Sequence, residues 1–133
     1  MLLACAAAGA CSSTGAPSAA TGPWMRPAEQ GASSAIYFTL RNPGDTALVL
    51  HDVQVDVAGR AMFHLSTDAN DMASMQAQDS LTVPPHDSLV FAERGLHVMV
   101  LGLRAALVPG DTVVMRLLLR PSRVDTVRVA VRE

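Results

Sequence analysis

The sequence contains only two cysteines, Cys5 and Cys11, and both lie within the first eleven residues. The rest of the chain has none, which excludes a disulfide framework and any thiolate metal ligand there. A blue-copper electron-transfer site requires a cysteine thiolate beside two histidines, so that class of protein is excluded as well. A domain without thiols also fits an oxidising compartment.

Other features are scarce too. Aromatic residues make up 4% of the chain, and the net charge is only −2. There is no basic cluster of the kind that binds nucleic acid and no acidic run. No Gly-x-Ser-x-Gly and no ordered Ser/His/Asp set indicates a hydrolase. We therefore expect a protein that is not an enzyme and does not bind nucleic acid.

The amino terminus resembles an export signal. Residues 1–9 are almost purely Leu and Ala but lack the usual basic start, and they are far shorter than the roughly 20 residues that span a bilayer. Small residues precede Cys11, as in a bacterial lipoprotein cleavage site. We expect residues 1–11 to be a signal remnant that carries lipid on Cys11. Cys5 is the alternative, although it leaves no hydrophobic run ahead of it.

The next segment differs in composition. Residues 12–23 are rich in Ser, Thr, Gly, Ala and Pro, which predicts a flexible tether. Residues 24–133 then form one domain, and about 110 residues bury enough surface to fold without disulfides. We expect a periplasmic or extracytoplasmic protein whose domain is held at a membrane by a lipid anchor only.

The domain sequence consists of short β-prone segments divided by turn signals such as Asn42-Pro43-Gly44-Asp45 and Pro109-Gly110-Asp111. In Leu48 to Val57 the valines and His51 alternate with polar residues, which indicates a half-buried strand. No stretch of ten or more residues has a helical period with caps. This pattern favours an all-β domain, an antiparallel β-sandwich of the cupredoxin-like or immunoglobulin-like kind. The main predicted strands cover residues 35–40, 48–57, 60–66, 72–77, 88–92, 97–101, 112–119 and 125–131.

Two histidines and two methionines carry the strongest functional signal. Ten residues separate His64 from Met75, twenty-one separate Met75 from His97, and one separates His97 from Met99. Two imidazoles and two thioethers form a soft, uncharged donor set that suits Cu(I) and does not suit Mg, Ca or Mn. The pattern therefore predicts a site for one copper ion.

Strand geometry makes this site feasible. His97 and Met99 are two residues apart, so their side chains leave one strand on the same face. His64 and Met75 flank a predicted loop at residues 67–71, and a hairpin would bring them together. Taken singly, each residue is explained by a structural role, because a lone histidine or methionine on a strand usually packs or forms hydrogen bonds. His51 and His86 lack the spacing, and Met62 and Met115 are expected to fill the core.

The chain resembles the periplasmic copper chaperones of the PCuAC type, which supply the Cu(A) site of cytochrome c oxidase. The resemblance covers about residues 24–131 and is carried by Trp24-Met25-Arg26-Pro27, by the block from His97 to Leu103, and by the four spaced residues. It implies that His64, Met75, His97 and Met99 bind Cu(I). Many members have a further Met shortly after the first His, where this chain has Leu65 and Ser66. Met72 is a candidate replacement.

The resemblance also implies a function. The protein would be a monomeric Cu(I) chaperone whose recipient is subunit II of cytochrome c oxidase, with a thioredoxin-like assembly factor as a possible second partner. Two alternatives stay open at this point. A copper-sequestering tolerance protein would use the same site, and a metal-free β-sandwich for assembly or adhesion would not need it.

Overall fold

The computed structural model describes residues 20–69, 72–121 and 123–133, and the side chains of residues 67–69 and 72–74 are not described. Cys5, Cys11 and tether residues 12–19 lie outside this range. The described residues contain no helix, and hence none that is long and apolar enough to cross a membrane. The predicted all-β class is confirmed. The strands are β1 (Ala20–Met25), β2 (Ser34–Asn42), β3 (Leu48–Val55), β4 (Ala58–Ala69), β5 (Met72–Gln78), β6 (Leu81–Val83), β7 (Asp87–Phe91), β8 (Leu96–Leu103), β9 (Thr112–Arg120) and β10 (Arg123–Val131).

All of these strands belong to one sheet in the order β5-β4-β8-β7-β2-β1-β10-β9-β3-β6. The sheet is mixed, whereas the sequence predicted an antiparallel one. β1 runs parallel to β10, and β7 runs parallel to β8. β1 lies between β2 and β10 in the sheet, so the first described strand of the chain pairs with the last one. β3 also contacts β4, which shows that the sheet curls back towards its other end.

The core fills the inside of this curl. In β9 every second residue is buried, namely Val113, Met115, Leu117 and Leu119. This alternation is the period that a strand produces when one face packs and the other meets water. Burying each such side chain contributes about 1.5–3 kcal/mol. Met115 is fully buried, which confirms its prediction as a core residue.

One strand departs from the predicted alternation. The register of β3 against β9 shifts between Leu50 and Asp52, so His51 is the extra residue of a β-bulge. As a result, Leu48 and Leu50 are buried before the bulge, and Val53 is buried after it. The prediction that the valines and His51 share one face is therefore wrong for Val49 and His51, because the bulge places them on the face opposite to that of Val53.

Two boundaries also differ from prediction. β1 starts at Ala20, so residues 20–23 of the predicted tether belong to a strand, and Ala20 and Thr21 are paired with β2. Their partners, Leu40 and Thr39, lie in the next strand of the chain, and composition alone does not reveal such a pairing. β4 extends to Ala69 and β5 begins at Met72. The connection between them is therefore much shorter than the predicted loop at residues 67–71.

We expect Leu117→Ala to lower the free energy of unfolding by about 2–5 kcal/mol, because it leaves a cavity in a close-packed core. Urea denaturation measures this loss. Val124→Ala on the neighbouring strand is the matched control, since Val124 is 59% exposed, and we expect it to cost less than about 0.5 kcal/mol. Equal losses in the two variants would contradict the assignment of the core.

Candidate metal centre

The candidate site lies on β4, β5 and β8, which are neighbours at one end of the sheet order. Phe63 on β4 and Val98 and Val100 on β8 are buried in the core. Successive residues of a strand point to opposite faces. His64, His97 and Met99 therefore lie on the other face of the sheet, opposite the side that packs into the core.

The two predicted histidines face each other across a strand pair. His64 is the direct register partner of His97 in the antiparallel pairing of β4 with β8. Their ring centroids lie 5.8 Å apart, with the planes inclined at 72°. A metal–nitrogen bond of about 2.0–2.1 Å places the ion roughly 3.2 Å from a ring centroid, so one ion can hold two rings up to ~6.4 Å apart. The observed separation is within this limit.

The predicted methionines occupy neighbouring positions on the same face. Met99 follows His97 by two residues on β8. Met75 on β5 pairs with Ser66, which follows His64 by two residues on β4. The predicted hairpin is thus confirmed, and Met75, His97 and Met99 line one open depression. Met75 is 57% exposed, so it forms the outer wall of this depression.

The ring of His97 is held by the turn that precedes its strand. Its Nδ1 lies 3.1 Å from the carbonyl oxygen of Gly95. A carbonyl only accepts hydrogen bonds, so Nδ1 carries the proton and the lone pair is on Nε2. The same carbonyl accepts the backbone N–H of Ser66 at 3.2 Å, which connects this turn to β4. His97 is only 4% exposed, and its orientation is therefore fixed before any ligand arrives.

His64 differs from His97 in its hydrogen bonding. Its Nδ1 is buried and has no hydrogen-bond partner. A buried polar atom without a partner destabilises the fold unless a ligand satisfies it. Burial and, second, the nearby His97 lower the pKa of His64 below its ordinary value of 6.5. His64 is therefore neutral at pH 7 and has a lone pair for a metal. The residues present fit a metal ion of the soft class.

Charged groups around the depression do not add hard ligands. Glu93 lines it, but its carboxylate forms an ion pair with Arg26. Among the described residues, no group of three or more His, Cys, Asp or Glu side chains could hold a metal ion. The soft donors that the described residues offer beside the two imidazoles are the thioethers of Met75 and Met99.

The structure thus brings His64, His97, Met99 and Met75 to one face of three adjacent strands. The other two histidines lie elsewhere: His51 is in the bulge of β3, and His86 pairs with Asp45 through Nε2 at 2.7 Å. The side chain of Met72 and the predicted lipid site Cys11 lie outside the described residues.

One residue on this face was not predicted to belong to it. Met62 is the register partner of Met99 and precedes His64 by two residues. It is half-buried and is not part of the core, where the sequence predicts it to lie. That prediction is wrong because Ala61 and Phe63 face the core side, and Met62 between them faces the other way. The spacing Met62-Phe63-His64 is the signal that could have identified it.

The fold and the site define an all-β domain with a histidine–methionine face. A family model described as "Putative lipoprotein LpqE-like" matches residues 19–131, and the chain belongs to this family. No curated protein matches the chain.

Solved structures share the fold. The apo PCuAC domain from PmoF1 matches with a TM-score of 0.70 at 23% identity, covering 85% of this chain and 91% of that one. The copper-bound PCuAC domain from PmoF2 matches at 0.68 and 23%, covering 83% and 87%. The Cu(I) form of DR1885 from Deinococcus radiodurans matches at 0.66 and 28%, covering 90% and 83%. The predicted resemblance to PCuAC-type proteins is confirmed.

We expect the apo protein to lose stability as the pH falls below 6.5, in part because of His64. The folded state holds the pKa of His64 below 6.5, so the unfolded chain binds more protons in that window and acid favours unfolding. The contribution of neutral His64 to the free energy of unfolding is fully present above pH 6.5. It is lost as the pH falls through the pKa of His64 in the folded state. Urea denaturation between about pH 8 and pH 5, with chelator present, measures the dependence.

His64→Gln removes this titration, so its free energy of unfolding should fall less steeply than that of the wild type over the same window. Equal slopes in the two proteins would contradict the lowered pKa.

Proposed function

We propose that the protein is an extracytoplasmic Cu(I) chaperone that binds one copper ion through His64, His97, Met75 and Met99. One observation carries the proposal. Two imidazole rings lie 5.8 Å apart on neighbouring strands, and thioethers lie next to them on the same face. The buried Nδ1 of His64 that lacks a partner supports it, because metal coordination would satisfy a histidine nitrogen that the fold leaves unsatisfied.

The donor set favours Cu(I) over other ions. Thioether and imidazole are neutral and soft, whereas Mg, Ca and Mn prefer carboxylate, carbonyl and water oxygens. The described residues offer no thiolate, so the site also differs from blue-copper centres and from structural zinc sites. With neutral ligands the bound ion keeps its positive charge, which favours transfer to an acceptor that carries thiolates.

Accessibility favours delivery of copper over storage. The depression is open, and Met75 on its outer wall is 57% exposed. An acceptor ligand can thus approach the ion from the side of Met75 without unfolding the domain. Copper-bound PmoF2 and Cu(I)-DR1885 share the fold, which supports the same ligand here. The protein would be a carrier and not an enzyme.

The finer parts of the proposal rest on family resemblance. The recipient would be the Cu(A) site in subunit II of cytochrome c oxidase, with a thioredoxin-like assembly factor as a further partner. The copper-binding domain would be a monomer that starts with β1 at Ala20, four residues before the boundary expected from the sequence, and would have the cupredoxin-like or immunoglobulin-like sandwich form.

We expect His97→Ala and Met99→Ala each to lower the affinity for Cu(I) at least about tenfold, because each removes a donor from the ion. Loss of a group that only hydrogen-bonds to a metal ligand already costs about 10–100-fold in affinity. Competition with a chromophoric Cu(I) chelator measures the affinity. His86→Asn is the matched control, since His86 lies on an exposed turn and Asn tolerates its positive φ of 58°. We expect this control to bind as the wild type does.

Wild-type affinity in both site variants would exclude the assignment of the ligands. The same samples separate delivery from sequestration. A carrier loaded with Cu(I) passes the ion to an apo Cu(A) domain in excess, whereas a sequestering protein retains it under the same conditions. An unchanged melting temperature on adding Cu(I) would instead favour the metal-free assembly module.

We further propose that the mature chain is lipidated at Cys11, after export, with residues 12–19 as the tether before β1. The family description names a lipoprotein, which supports an extracytoplasmic location. Cys11→Ser should abolish incorporation of labelled fatty acid and release the protein from membranes in a bacterial host. Cys5→Ser is the matched control and should keep both properties. Loss of label in the Cys5 variant alone would identify Cys5 as the modified residue and contradict our assignment.

A further inference from the structure

We propose that Met62 is a further thioether donor at this site, and that it binds copper in exchange with Met75. This inference rests on the proposed function, because it concerns the same ion. It adds a thioether donor on β4, a strand on which the motif of spaced histidines and methionines has no sulfur.

The register of β4 places Met62 beside the site. Met62 is the direct partner of Met99, and His64 is the direct partner of His97. The two pairs are successive levels on the same face of the same strand pair. Two methionines and two histidines thus form a compact block of four on the β4–β8 ladder.

The core does not use Met62. Its neighbour Phe63 is 3% exposed and packs in the core, and Val98 opposite Phe63 is fully buried. Met62 points away from them and is half-buried. Met115, by contrast, is a core methionine with no exposed surface. Packing in the core therefore does not account for a methionine at position 62.

A thioether at position 62 can reach the ion. Direct cross-strand partners have Cβ atoms ~4.5–5.5 Å apart. A methionine side chain is unbranched and rotates about three bonds, so its sulfur adapts to an off-centre position. An ion that binds Met99 is thus accessible to the sulfur of Met62 as well.

The flanking positions leave room for this movement. On the far side of β8, Ala35 of β2 is the partner of Met99. On the far side of β4, Ala77 of β5 is the partner of His64. Both residues are small, and neither competes with the methionines for the space above the ladder.

Met62 and Met75 differ in their position within the sheet. Met75 lies on β5, which is the edge strand of this end of the sheet, and it is 57% exposed. Met62 lies on β4, between β5 and β8 in the sheet order, and it is half-buried. A four-coordinate Cu(I) ion with two imidazoles takes two of the three sulfurs. When Met75 dissociates to open the site, Met62 can take its place and would keep the ion four-coordinate until an acceptor ligand arrives.

The test uses the full chain with Met62→Leu, Met75→Leu and the double variant, because Met→Leu nearly conserves volume. Met115→Leu is the matched control. X-ray absorption of Cu(I)-loaded protein counts sulfur neighbours, and chelator competition gives affinity. We expect about two sulfurs in the wild type, in each single variant and in the control, and about one in the double variant.

Affinity should follow the same pattern. Each single variant should lose less than about tenfold, and the double variant should lose clearly more than the product of the two single losses, since each methionine replaces the other. Urea denaturation checks that all variants fold, and Met62→Gln serves as a second substitution if Met62→Leu does not.

A Met75→Leu protein with one sulfur neighbour, and no further loss of affinity on adding Met62→Leu, would overturn the role of Met62 and leave the proposed function intact. Failure of the proposed function looks different: the wild type would not bind Cu(I), or His97→Ala would bind as tightly. That result would overturn both proposals.

Discussion

The antiparallel pairing of β4 with β8 is the constraint on which the site depends. Strand side chains alternate between faces, so a slip of one residue would send the whole set to the wrong side. Phe63 and Val98 oppose each other in the core and fix this register by their burial. The next pair, His64 and His97, is thereby set face to face on the other surface. The energy that stabilises the core thus also positions the candidate ligands.

The same face combines a rigid part with an exposed part. His97 is 4% exposed, and its ring is oriented by the carbonyl of Gly95, so it loses little freedom when it binds an ion. Met75 is 57% exposed on an edge strand. Pre-ordered donors favour affinity, because ordering them costs nothing at the moment of binding. An exposed, flexible donor favours exchange. A carrier needs both properties, and the sheet provides them on neighbouring strands.

Sequence reasoning predicts the local parts of this arrangement well. The period of two places His97 and Met99 on one face, and the loop predicted at residues 67–71 indicates the hairpin that brings Met75 near His64. Pairings between strands that are distant in sequence cannot be read from such a pattern. The partnership of Met62 with Met99 depends on the register of β4 against β8, and the entry of β1 beside β10 joins the two ends of the chain. The bulge at His51 is invisible for the same reason, since it depends on the partner strand β9.

One carboxylate beside the candidate site is already paired with a cation. Glu93 lines the depression and would offer a hard oxygen donor if it were free. Arg26 pairs with it, and both side chains are about half exposed, with 50% for Arg26 and 53% for Glu93. An ion pair of this exposure contributes at most about 1 kcal/mol to stability. Its consequence for the site is chemical: a carboxylate already engaged by a guanidinium is a poorer ligand for Mg or Ca. The imidazoles and thioethers on this face are the donor set that Cu(I) prefers.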